Sequence, residues 1–155
     1  MKKYASLALF ILIVMGGGAV IGTFTSPGDW YASLEKPFFN PPNWVFGPVW
    51  SILYLAIAFV GWRVWHINAR PNLMRLWVAQ LCLNFLWSPL FFIAQKPGLA
   101  LIVIMLTLVA ILALIKNLWR VDRLSAMLFL PYAMWVGFAS MLNGAVYFLN
   151  FSVLI

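Results

Sequence analysis

Apolar residues fill five stretches of the chain, each close to the ~20 positions that an α-helix needs to cross a bilayer. They cover residues 4–24, 45–65, 73–94, 99–119 and 124–149. Ser26-Pro27-Gly28-Asp29 stops the first, and a polar stretch from Arg63 to Pro71 separates the second from the third. Gln95-Lys96-Pro97-Gly98 makes a tight turn, and Arg120-Val121-Asp122-Arg123 divides the last two. Connections this short demand antiparallel neighbours. The pattern predicts an all-α membrane protein, a five-transmembrane-helix bundle occupying residues 1–155 as one domain.

Residues 26–44 break the pattern. From Trp30 to Trp50 the chain carries Pro37, Pro41, Pro42 and Pro48 among Trp30, Tyr31, Phe38, Phe39, Trp44, Phe46 and Trp50. So much proline argues against helix, and irregular backbone cannot cross lipid with its polar groups unpaired. The segment therefore belongs at the membrane surface, where indole and phenol rings sit half in water. A stiff aromatic cover over a helix bundle suits a lid above a flat apolar ligand.

Composition agrees with the spans. Of 155 residues 65% are hydrophobic and only 8% charged, with a mean hydropathy of +0.98. Soluble domains carry roughly a quarter charged residues. The net charge of +7 would suggest nucleic acid in a soluble chain. Here the cations are scattered over short loops, so lipid headgroups are the expected partner and nucleic acid is not. Lys2, Lys3, Arg63, Arg70, Arg75, Lys116, Arg120 and Arg123 fall on one side of a five-span topology, against Lys36 and Lys96 on the other. That bias predicts a cytoplasmic N-terminus in a bacterial cell membrane, with the aromatic loop outside; an outer-membrane setting would weaken the rule. Met1-Lys2-Lys3 resembles a signal-peptide start, but the apolar run is long enough to span and shows no small-residue cleavage site, so it reads as a retained helix. Cys82, the single cysteine, forms no intrachain disulfide.

Three spans carry side chains able to converge near the loop. Trp50, Tyr54 and Ile57 follow helical spacing in the second span; Gln80, Asn84 and Trp87 share a face of the third; Trp135, Phe138, Ala139, Leu142 and Asn143 form a stripe on the fifth. Amides in hydrocarbon must be paired, so they should face the interior. Rings around a few polar groups describe a small-molecule pocket. Interhelical hydrogen bonding and interfacial anchoring explain the same residues without a ligand.

Elsewhere, Trp62, Trp65, Trp77 and Trp119 are expected in an interfacial belt on the basic side, with His66 as a headgroup contact. Gly16-Gly17-Gly18 and Gly22 offer a small-residue face, read as packing within the chain rather than between copies. The fourth span, aliphatic apart from Thr107, should face lipid or fill structural space. Pro48 opens its helix harmlessly, whereas Pro89 and Pro131 should kink theirs. No phosphate loop, metal-ligand spacing or catalytic triad is present. The acids Asp29, Glu35 and Asp122 lie in loops or at helix ends, which argues against a proton-driven antiporter or an acid–base hydrolase.

At these residues the sequence resembles the TspO/MBR family of tryptophan-rich sensory and translocator proteins. The likeness rests on Trp30-Tyr31, Leu34-x-Lys36-Pro37, Asn40-Pro41-Pro42-x-Trp44-Val45-Phe46, Pro48-x-Trp50, Asn84-x-x-Trp87-x-Pro89-x-Phe91-Phe92, Pro131-Tyr132-x-x-Trp135 and Leu142-Asn143. It implies a five-helix bundle, often a homodimer, that binds tetrapyrroles such as porphyrin or haem and in some members sterols or benzodiazepine-site drugs, with no cofactor, metal or catalytic residue required. The implied ligand site is Trp30, Tyr31, Pro41, Trp44, Phe46, Trp50, Tyr54, Asn84, Trp87, Trp135, Phe138, Ala139 and Leu142. The likeness suggests a porphyrin-binding sensor or transporter; light- or oxygen-dependent porphyrin breakdown and a non-catalytic regulatory membrane partner are the alternatives. Two departures matter. Phe38-Phe39 replaces a common tryptophan, and no basic residue follows Tyr147, so the sterol pattern of some relatives is incomplete.

Overall fold

A computed structural model describes residues 2–67 and 71–151; Arg70, counted above among the basic-side cations, lies outside them, as do the side chains of Lys2 and Lys3. Five helices are long and apolar enough to cross a membrane. They are α1 (Lys2–Phe24), α3 (Phe46–His66), α4 (Pro71–Ser88, continued by a π-helical turn over Pro89–Ile93), α5 (Pro97–Leu118) and α6 (Arg123–Leu149). The lid holds one short helix, α2 (Asp29–Ser33), and a 3₁₀ turn at Asn43–Val45. This corrects the expectation of a lid without helix. Pro27 precedes Asp29, and Pro37, Pro41 and Pro42 follow Ser33, so no proline falls within the helical turn.

Neighbours close a ring: α1 packs on α3, α3 on α6, α6 on α5 and α5 on α4, while α4 returns to α1 through a looser contact. On the basic side the ring is filled by Val60, Leu73, Leu114, Leu118 and Phe129, all essentially without exposure. The fourth span, α5, buries Ala100, Ile104, Thr107, Ile111 and Leu114 on one face and leaves Ile102, Val109 and Leu112 exposed on the other. Proline acts differently in the two places where kinks are expected. Pro89 converts the end of α4 to a wider turn, in which the Ala94 N–H reaches back to the Pro89 carbonyl at 2.9 Å. By contrast α6 runs unbroken through Pro131.

Two of the four tryptophans expected in the belt turn into the bundle instead of outward. Trp65 and Trp119 are exposed, but Trp62 and Trp77 are buried. Trp77 turns inward onto Gly61 and donates its indole N–H to the Ile57 carbonyl at 2.9 Å. Trp62 donates to Ser6 Oγ at 3.1 Å. In both cases a partner on a neighbouring helix replaces the water and headgroups that would hold an interfacial indole.

Asp122, whose part sequence reading missed, caps α6 and clamps α3 to it. Arg63 Nε and Nη2 donate to its two oxygens at 2.8 and 2.9 Å, and the Ser125 hydroxyl and backbone N–H also donate to it. The Arg63 hydrogen bonds, outweighing burial and helped by those from Ser125, hold the Asp122 carboxyl below the usual carboxylate range. A lowered folded-state pKa contributes stability fully above the unfolded value of about 3.9 and loses it as pH falls through the folded value. Asp122→Ala should therefore cost about 2 kcal/mol at neutral pH. Thermal unfolding in detergent should show that difference shrinking below about pH 4; a gap that stays constant into strong acid would mean that the carboxylate charge is irrelevant.

Candidate functional site

On the lid side the ring is not filled. A chamber of about 440 Å³ opens between α1, α3, α4 and α6 beneath the lid. Its walls come from Phe46, Trp50 and Tyr54 on α3, from Asn84, Trp87, Phe91 and Phe92 on α4 and its π-helical end, and from Ala139, Leu142 and Asn143 on α6. The π-helical turn matters here. An extra residue per turn rotates the chain, and both Phe91 and Phe92 reach the wall, in mutual contact at 4.9 Å.

Amide and hydroxyl groups are tied into chains. Tyr54 OH donates to Asn84 Oδ1 at 3.2 Å, Asn84 Nδ2 to Tyr132 OH at 3.0 Å, and Tyr132 OH to Gln80 Oε1 at 2.9 Å. Gln80 is fully buried below the chamber and ends the chain on the Trp77 carbonyl. A second chain joins Trp87 Nε1 to Asn143 Oδ1 at 2.9 Å, and Asn143 Nδ2 to the Pro97 carbonyl at 2.8 Å. Such bonding satisfies groups that hydrocarbon would otherwise penalise and holds both ends of the Asn84 and Asn143 amides in place.

The lid is held to the bundle at Glu35 and at Tyr31. Asn150 accepts from the Glu35 N–H and donates to the Glu35 carbonyl, both at 2.9 Å. Tyr31, packed on Phe91 and Phe92, donates its hydroxyl to Asn40 Oδ1 at 3.3 Å. Burial pushes the Tyr31 hydroxyl above its ordinary value, only partly countered by the Asn40 bond, so it remains a neutral donor.

Of the thirteen residues in the implied site, eight stand on the chamber wall: Tyr31, Phe46, Trp50, Tyr54, Asn84, Trp87, Ala139 and Leu142. Five do not. Trp30 packs behind Phe91 at 5.8 Å, Pro41 lines a shallower cleft in the lid, and Trp44 points outward, 75% exposed. Trp135 packs edge-on behind Phe46 at 5.8 Å, and Phe138 meets the lid through Phe39 at 6.4 Å. Trp135 Nε1 is buried with no hydrogen-bond partner among the described residues. Trp135, Phe138, Ala139 and Leu142 do share one helical stripe, but Phe46 and Phe39 pack against the first two and leave Ala139 and Leu142 on the wall.

The first helix was missing from the sequence reading of the pocket. Met15, Gly18, Ala19, Ile21, Gly22 and Thr25 supply a further wall. Gly17 and Gly18 serve packing within the chain, since an added Cβ would strike Phe85 or Tyr54 at 2.8 or 2.3 Å, whereas one at Gly16 or Gly22 would meet nothing within 4 Å. A polar signal was available at its end: Thr25 accepts from Ser88 Oγ at 2.8 Å, joining α1 to the turn at Pro89.

The TspO/MBR family model matches residues 10–149. The chain is 42% identical over 149 residues to the tryptophan-rich protein TspO of Archaeoglobus fulgidus, covering 93% of this chain and 96% of that one. It is 35% identical to protein CrtK of Rhodobacter capsulatus over 94% of each chain. To the human translocator protein it is 37% identical, over 84% of this chain and 82% of the relative. An aromatic chamber beneath a proline-stiffened lid, in a ring of five apolar helices whose sequence matches from the first helix to the last, leads to one assignment: this chain belongs to the TspO/MBR family.

Proposed function

We propose that the chamber binds a flat, largely apolar tetrapyrrole of the porphyrin class and that the protein acts as a membrane sensor or transporter for it. The observation carrying this reading is the aromatic void itself, whose 440 Å³ falls in the roughly 300–1,000 Å³ range of small-molecule sites. Indole faces of Trp50 and Trp87 offer stacking surfaces, and Asn84 and Asn143 supply polar atoms for the ligand's edge. A swing of Phe46 would bring the unpaired Trp135 N–H into the same space. Burying apolar area contributes about 25 cal/mol per Å², so a porphyrin-sized guest gains several kcal/mol before ordering costs. Relatives named sensory and translocator proteins agree with the reading at the level of class. The basic-side cations further suggest that this face is cytoplasmic in a bacterial cell membrane.

Titration of the purified protein with protoporphyrin IX tests the site through quenching of tryptophan fluorescence. The double variant Trp50→Ala, Trp87→Ala is expected to bind about tenfold or more weakly, at the order of 1.4 kcal/mol or above for two lost stacking faces. Full affinity in a folded double variant would remove these walls from the site. A sterol and a benzodiazepine-site drug belong in the same panel, because either one binding more tightly than porphyrin would redirect the assignment.

A further inference from the structure

Above the chamber, a shallower cleft of about 520 Å³ opens in the lid. The two spaces share Pro27, Tyr31, Asn40 and Asn43, so one layer of side chains divides them. That layer closes through the Tyr31–Asn40 hydrogen bond, which at 3.3 Å is long for a hydroxyl donor. Lys36 is the one charged residue among those lining the cleft, and Asp29 and Glu35, the acids of the lid, are not in the lining. Its Nζ donates to the Ala32 and Leu34 carbonyls at 3.2 and 2.9 Å and lies 4.8 Å over the Tyr31 ring. An ammonium has three N–H bonds, so one remains. Among the described residues no carboxylate lies within ion-pair distance of it.

A positive charge held by neutral carbonyls and a ring face, beside an apolar chamber and behind a weak neutral latch, has the chemistry of a carboxylate receptor. We propose that Lys36 and the Tyr31 hydroxyl form an acid-recognition annex, so that the preferred ligand is a flat apolar body bearing a carboxylate at its edge. The body occupies the chamber; the acid displaces Asn40 from Tyr31, accepts from the Tyr31 O–H and takes the remaining Lys36 N–H. The inference rests on the chamber being a tetrapyrrole site and adds what selects among such ligands, since tetrapyrroles differ in their acid side chains. Tyr31 suits the role because burial keeps its hydroxyl protonated as a donor.

The test compares protoporphyrin IX with its dimethyl ester, which keeps the ring and removes the charge. Both are titrated in one nonionic detergent against the unaltered protein, Lys36→Gln and Lys36→Arg. The unaltered protein should bind the diacid about tenfold more tightly, as one charge-assisted contact supports, and added salt should erode that preference. Lys36→Gln should lose the preference while keeping its affinity for the diester, and Lys36→Arg should retain it. Equal binding of acid and ester by the unaltered protein, or an acid preference that survives in Lys36→Gln, overturns the annex while the chamber stands. Binding of neither compound overturns the chamber reading and the annex with it. The salt comparison on the unaltered protein decides the matter if Lys36→Gln does not fold: a salt-insensitive preference for the diacid counts against the ammonium.

Discussion

Ala139→Phe is expected to weaken porphyrin binding about 100-fold while the bundle stays folded. Ala139 is 5% exposed and stands on the α6 wall, one turn before Leu142 and Asn143, which line the same space. A benzyl group there points into a void, so the backbone need not move to admit it. Filling a cavity commonly adds about 0.5–2 kcal/mol of stability. The guest, in contrast, meets a ring where it had open volume, and misfit of that kind costs about 1–3 kcal/mol, up to roughly 150-fold in affinity. Quenching titrations paired with thermal unfolding in detergent separate the two effects. Unchanged affinity at unchanged stability would show that the ligand sits elsewhere.

Gly61→Ala should act in the opposite direction, on stability. A Cβ built at Gly61 lies 2.3 Å from Trp77 Cε2 and 2.4 Å from Cζ2. The indole cannot simply retreat. Its N–H is bonded to the Ile57 carbonyl and its ring packs edge-on against Phe10 at 5.3 Å. In an open helix the same substitution gains up to about 1 kcal/mol from reduced backbone freedom; overpacking costs about 1–3 kcal/mol or more. The clash should win, lowering the unfolding midpoint by several degrees, on the order of 2–4 °C per kcal/mol. Trp77→Phe makes room, so the double variant should fall short of the summed losses. Strict additivity would show that this contact is not the cause. Gly137→Ala, where an added Cβ meets nothing within 4 Å, serves as the control and should be neutral or mildly stabilising.

Asn84 and Asn143 were legible as interior residues because an amide in hydrocarbon must find a partner, and both did, through Tyr54, Tyr132 and Trp87. Tryptophan gave no such direction. Trp62 and Trp65 stand three residues apart at the same end of α3, yet one is buried and the other 61% exposed. An indole satisfies interface and core alike. The choice was made by Ser6 and Phe59 beside Trp62, the first on a neighbouring helix far away in sequence and the second on the preceding turn. Asp122 likewise read as a loop acid until Arg63, 59 positions away, was brought against it.

What the chain determined unaided was its spans, its turns and its polar–apolar bookkeeping, since these depend on run length, proline placement and the local cost of unpaired groups. Which helices border the void was decided by tertiary structure alone. Gly18 reads as a packing glycine, yet its helix closes one side of the chamber because Tyr54 leans on it; Trp135 carries the strongest motif on α6, yet Phe46 stands before it. A cavity is the space that packing leaves unfilled, and that remainder belongs to no single segment of the sequence.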